Sequence, residues 1–285
     1  MAVAESAVGI CVAEEANIDA YFERIGFAGS IAPTLETLSL LHQQHPAAIA
    51  FENLDPLMGA PVRLDLSDLQ QKLLFDRRGG YCFEHNLLFK AVLEALDFPV
   101  KAHGATVLLG RDGEEPPEDH LVLTVEIGGA TYLADVGFGG MTPTAPLRLR
   151  ADLEQATPHE TYRLIGGDPL WWLEVKIGDD WRAMFAFNLN EKSVGDLMRM
   201  NEQVANSPDF RDNLKAARSE RGRRLALANR RLNIHTVGGE TETRMLESVA
   251  EIREVLAGPF GIALPNDERL ETALQQMFAR DSGAV

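Results

Sequence analysis

Several protein classes are excluded by what this sequence lacks. Its 285 residues include two cysteines, Cys11 and Cys82, too few for a disulfide framework, so a reducing compartment is expected. No apolar run approaches the roughly 18 residues that a membrane-crossing helix needs. Met1 to Asn17 contains no lysine or arginine, unlike a secretory signal or a mitochondrial presequence. These absences predict a cytoplasmic protein with no membrane partner. Basic residues are also scarce, 27 against 43 acidic. The resulting charge of −16 argues against nucleic acid as a partner, because that binding draws on cationic contacts to phosphate. No Walker loop, dinucleotide fingerprint, internal repeat or low-complexity stretch occurs, and no histidine cluster has a third metal ligand nearby. What remains is an ordinary globular composition, 45% hydrophobic and 25% charged, long enough for two or three domains.

The first hundred residues have helical texture. Asn17 or Asp19 can cap a helix through Tyr21, Phe22, Ile25 and Phe27, and Thr34 one over Leu35 to His45 that Pro46 ends. On that second helix His42 and His45 read as surface residues. Ser67 can cap Asp68 to Phe75. The helix after Gly80 runs to about Leu96 with a single polar stripe, Asn86, Lys90 and Glu94, and is buried on its other sides. From Val100 to about Asn190 short β-prone runs alternate with Gly, Pro and Asp clusters, including Gly113–Pro117, which indicates an antiparallel sheet or barrel. The expected strands are Ala105–Leu109, His120–Ile127, Thr131–Val136, Tyr162–Ile165, Leu170–Lys176 and Trp181–Phe187. Helical periodicity returns over Val194 to Val204. A basic stretch then carries eight cations between Arg211 and Arg231 against Asp212 and Glu220. Strand-like segments and two acidic helices, Met245–Leu256 and Asp267–Ala279, complete the chain.

Chemistry concentrates at Arg77-Arg78-Gly79-Gly80-Tyr81-Cys82-Phe83-Glu84-His85-Asn86. A cysteine at the head of a helix meets unpaired backbone N–H groups and the positive end of the dipole, both of which favour a thiolate. A buried structural cysteine is the competing reading. A nucleophilic thiol needs a base, and the base needs an orienting group. His85 lies one turn on from Cys82 but lacks an obvious carboxylate partner. His103, His159 and His235 carry no usable signal. His120 opens a strand, and Gly128-Gly129 makes a two-residue turn that pairs Ile127 with Ala130. In that register Asp135 is the diagonal neighbour of His120, about 7 Å away between backbones and within reach of a hydrogen bond. A carboxylate inside an apolar strand is costly unless paired, so Asp135 calls for a partner; exposure beside a turn is the alternative.

Arg78-Gly-Gly-Tyr-Cys82-Phe-Glu, Phe51-Glu-Asn-Leu54 upstream, and the downstream His120 and Asp135-Val-Gly-Phe-Gly139 together resemble the arylamine N-acetyltransferases. The likeness is close from Tyr21 to about Leu149 and collinear beyond. It implies an α+β fold with a cysteine-protease-like core: a helical bundle (1–97), an antiparallel β-barrel ending in the start of an interdomain helix (98–205), and an α/β lid (206–285). It also implies a Cys82–His120–Asp135 triad, an acceptor pocket lined by Phe51, Phe83 and Phe138, and a pantetheine arm passing Gly139. Arg78 and Glu52 would brace the bundle beneath the cysteine. The implied partners are acetyl-CoA, as co-substrate rather than bound cofactor, and small aromatic amines or hydrazines, the protein being a monomer or homodimer. The basic stretch offers a phosphate site or, more plainly, a solvated helix face. An amide synthase or a transglutaminase-like acyltransferase would use the same residue types, and a non-enzymatic binding module would need none of them reactive.

Overall fold

The chain is described from a computed structural model over residues 15–111, 117–281 and 283. Cys11 and Gly113–Pro116 lie outside the described residues. The first layer is helical. Helix α1 (Ile18–Ile25) is capped by the Asn17 side chain and stops at Gly26, whose φ of 71° turns the backbone left-handed. Phe27 therefore leaves the helix and packs back on Phe22. Helix α2 (Leu35–Ala48), capped by Thr34, passes through Pro46 rather than ending there. Near the last turn the proline removes only the N–H that would bond the His42 carbonyl, and Ile49 N–H still reaches the His45 carbonyl at 2.8 Å. His42 and His45 are completely buried, contrary to expectation.

Strand β1 (Phe51–Glu52) and helix α3 (Leu54–Leu57) follow. Helix α4 (Leu66–Gln70) starts behind Asp65, ahead of Ser67, and widens into a π-helical turn over Gln71–Phe75. Helix α5 (Cys82–Ala95) is the central element. Of its polar stripe Lys90 and Glu94 pair at the surface, 2.5 Å apart, whereas Asn86 is fully buried.

The second layer is an antiparallel sheet: β2 (Val100–Val107), β3 (His120–Ile127), β4 (Ala130–Ala134), β5 (Leu147–Arg148), β6 (Gln155–Ala156), β7 (Thr161–Gly167), β8 (Leu170–Ile177) and β9 (Asp180–Glu191). Its order is β5-β4-β3-β2-β9-β8-β7-β6. The Gln155 amide links the two edge strands by accepting from Arg148 N–H (2.7 Å) and donating to the Arg148 carbonyl (3.1 Å). The sheet is thus curled into a nearly closed barrel, which protects its edges. The β3–β4 register pairs Ile127 with Ala130 and Leu123 with Ala134, as the turn chemistry requires. Leu121, Leu123 and Val125 pack into the bundle core, while Val122 faces the barrel interior. Because side chains alternate along a strand, His120 shares the barrel side with Val122.

Helix α6 (Val194–Ala205) and helix α7 (Pro208–Arg211) lead into the third layer. Strands β10 (Lys215–Glu220), β11 (Arg223–Ala228), β12 (Arg231–Thr236) and β13 (Thr241–Met245) form its sheet, with helix α8 (Val249–Ala257) and helix α9 (Glu268–Asp281) packed on it. Strand β1 completes this sheet at the β10 edge, Phe51 opposite Ala217. The basic stretch is therefore mostly strand, and much of its charge is already answered by acids outside it: Asp209 for Lys215, Glu160 for Arg224, Glu247 for Arg230. Among the described residues no helix is long and apolar enough to cross a membrane.

Candidate active site

Cys82 is the first residue of α5. The first intrahelical bond runs from His85 N–H to the Tyr81 carbonyl, which leaves the N–H groups of Cys82 and Phe83 without helical acceptors. The glycines ahead of it permit close packing rather than an unusual backbone angle. A Cβ on Gly79 would lie 2.0 Å from the Ala50 carbonyl oxygen, and one on Gly80 would meet the Glu84 side chain at 2.8 Å. In this segment the left-handed residue is Arg77, with φ of 53°. The helix head is held by a largely buried chain of charges. Glu84 accepts the Tyr81 N–H at 3.0 Å, Lys72 joins Glu84 to Asp55 (2.6 and 2.5 Å), and Arg78 joins Asp55 to Glu52 (2.9 and 2.8 Å).

His120 approaches from β3. Its ring lines the same cleft as Cys82 and is coupled to it electrostatically, and its Nε2 lies 2.8 Å from Asp135 Oδ2. Asp135 follows directly on β4. Its Oδ1 accepts from Asn86 Nδ2 (3.0 Å) and from the Gly137 N–H (2.9 Å). Burial alone would strip His120 of its proton, but the Asp135 carboxylate and the Cys82 sulfur outweigh it and raise the ring to about 10. Burial works against the Asp135 anion too; the imidazole, Asn86 and the Gly137 N–H reverse this and hold its carboxyl below the usual range. Gly137 lies against the helix head, where a Cβ would come within 2.9 Å of Cys82 Cα. The arrangement brings a thiol, an imidazole and an orienting carboxylate into one array, the residue types that nucleophilic catalysis requires.

These groups open onto a cleft of about 280 Å³ between bundle, barrel and lid. Phe51 and Phe138 line it, and Gly139, at φ 93°, forms part of its wall with Phe51 packed against its open side. Phe83 is elsewhere: it is fully buried in the bundle core against Tyr81 and does not reach the cleft. His85 also turns away from the sulfur, toward His45 and the Ala50 carbonyl. Sequence reasoning missed Asn86, hidden in a helical stripe with two surface residues. It also missed the lid's contribution of Phe210, Ala217 and Ala226. A second groove, of about 770 Å³, adjoins the cleft at Gly140, Ala226 and Asn233 and carries Lys176, Arg231 and His235.

The sequence model of the N-acetyltransferase family matches residues 34–269, which sets the class: the chain is an acyltransferase. Arylamine N-acetyltransferase from Escherichia coli is 38% identical over 247 residues, 86% of this chain and 88% of that protein. The enzyme of the same name from Mycobacterium tuberculosis is 39% identical over 279 residues, 94% and 98%. The Mycobacterium marinum arylamine N-acetyltransferase, in its structure with CoA, superimposes with a TM-score of 0.87 at 39% identity, over 92% of this chain and 99% of that one. The chain belongs to the arylamine N-acetyltransferase family.

Proposed function

We propose that the protein transfers an acetyl group from acetyl-CoA to the nitrogen of arylamines, arylhydrazines or N-hydroxyarylamines through an acetyl-Cys82 intermediate. His120 takes the Cys82 proton, and Asp135 holds and stabilises the imidazolium so formed. The thiolate attacks the thioester carbonyl, and the tetrahedral adduct collapses with the C–S bond to CoA breaking. The CoA sulfur leaves with the proton that His120 returns. The amine then attacks acetyl-Cys82; His120 removes the amine proton and gives it back to the departing cysteine sulfur. The N–H groups of Cys82 and Phe83 at the helix head are the natural donors to the oxyanion. Splitting the transfer into a thioester exchange and an aminolysis of the acetyl-cysteine predicts ping-pong kinetics.

The observation that carries this reading is the buried Cys82–His120–Asp135 array opening on an apolar cleft. Phe51 and Phe138 offer flat surfaces to an aromatic acceptor. The pantetheine arm would pass Gly139, and the adjoining groove with Lys176 and Arg231 suits the donor's phosphates. The M. marinum relative's complex with CoA supports the donor. The deciding test is mass spectrometry after incubation with acetyl-CoA alone. One added acetyl group on a Cys82 peptide, absent in Cys82→Ser, is expected; wild-type turnover by Cys82→Ser would end the proposal.

A further inference from the structure

Behind the triad lies a group that the chemistry above does not use. His42, on the buried face of α2, accepts a hydrogen bond at Nε2 from the main-chain N–H of Asp135, 3.1 Å away. Asp135 has just left β4, where the chain bends toward Gly137. Its N–H is thus taken up by a side chain from an element 93 residues away in sequence rather than by the sheet ladder. A main-chain N–H can only donate, so Nε2 must carry a lone pair, and the neutral ring must hold its proton on Nδ1. Nδ1 has no regular hydrogen-bond partner among the described residues. The His42 main-chain carbonyl, relieved of its helical N–H by Pro46, acts favourably on the ring. The ring is fully buried, edge-on to Phe89 at 5.9 Å between centroids. Asp135 and His45 are the titratable groups coupled to it, and burial holds it neutral, down to about 4.

We propose that His42 is a positioning residue of the triad: its neutral Nε2 fixes the Asp135 main chain from α2, while Asn86 of α5 together with Gly137 and His120 of the barrel fix the carboxylate. Bundle and barrel then hold one aspartate between them, and its direction toward His120 is set by both. The proposal rests on the triad reading above, but its first test involves no substrate. Nitrogen NMR of the imidazoles at neutral pH is expected to show His42 as the Nδ1–H tautomer with an unprotonated, hydrogen-bonded Nε2. An Nε2–H tautomer would overturn the proposal whether or not Cys82 is ever acetylated.

The second test separates the acceptor atom from the space the ring fills. His42→Leu removes the acceptor at similar volume, and His42→Gln can return an oxygen to the Nε2 position. In His42→Leu, acetylation of Cys82 in a single turnover should slow about tenfold or more at unchanged KM for acetyl-CoA, the scale set by leaving one buried donor unpaired. The pH midpoint for iodoacetamide alkylation of Cys82 should rise, because a less well-aligned Asp135 stabilises the imidazolium less. His42→Gln should recover most of both. A folded His42→Leu with the native rate and alkylation profile, or a folded His42→Gln as impaired as it, would overturn the proposal; should neither variant fold, the tautomer measurement decides alone.

Discussion

At the residue scale the site depends on one carboxylate whose hydrogen-bonding capacity is almost completely used. Asp135 meets His120, Asn86 and the Gly137 N–H through its two oxygens. Asp135→Asn preserves the volume but replaces an acceptor by an NH2 group, which would face either the His120 N–H or the Gly137 N–H. Single-turnover acetylation should fall by roughly 1,000-fold or more, as when the orienting carboxylate of a comparable triad is neutralised. The pH response follows from the same contact. His120 is raised from an ordinary 6.5 to about 10, so the folded state holds a proton that the unfolded chain releases near 6.5. The associated stabilisation is complete below that value and is lost as pH rises through about 10. Denaturant titrations between pH 7 and 10.5 should show this decline in the native protein and a smaller one in Asp135→Asn; equal declines would detach the proton from this pair.

At the scale of elements, the head of α5 is held by three carboxylates, Glu52, Asp55 and Glu84, against two cations, Arg78 and Lys72. Arg78→Met leaves Glu52 and Asp55 buried beside an apolar group. It should cost about 3–5 kcal/mol in chemical denaturation, the range for breaking one side of a buried pair. The surplus negative charge also has a titration signature. Burial first, then Asp55 and Glu52 against the pull of Lys72, raises Glu84 from 4.5 to about 7. The folded chain then binds more protons than the unfolded one between those values, and stability falls as pH rises through that window, by up to about 3 kcal/mol. Glu84→Gln should flatten that slope; an unchanged slope would mean that Glu84 is ionised throughout. Much at this scale is legible in the sequence, for physical reasons. The β3–β4 hairpin is specified by local alternation and a Gly128-Gly129 turn, and the α5 head by its glycines and apolar run. Proline in α2 misleads because its penalty is confined to one carbonyl near the helix end. Asn86 misleads because periodicity groups it with Lys90 and Glu94, whereas its partners Leu121, Asp135 and Val136 come from the barrel.

For the whole molecule, the question is how the lid is kept in register with the site, and no local pattern encodes it. The strand order is long-range: β1 of the bundle region pairs with β10, more than 160 residues on. Arg224, buried in β11, spans the junction. It donates to Glu160 and to the Thr142 carbonyl, with Nη2 at 2.6 and 2.7 Å, and its Nη1 donates to Ser219 of its own sheet at 2.6 Å. Thr142 in turn closes the Gly139 turn, receiving the Gly139 N–H at 2.7 Å. One guanidinium therefore ties the lid, the barrel and the cleft wall together, and a cation in the sequence reads only as part of a charge run until Glu160 is seen beside it. Arg224→Met should destabilise the protein and raise the KM for acetyl-CoA several-fold, but destabilisation alone would prove little, since it leaves the largely buried Glu160 with the Tyr162 hydroxyl and without its cation. The double variant Arg224→Met with Glu160→Met removes that penalty while leaving the Thr142 carbonyl unheld. Stability should largely return and KM should stay raised. If KM returns along with stability, Arg224 serves the fold alone and the cleft wall keeps its place without it.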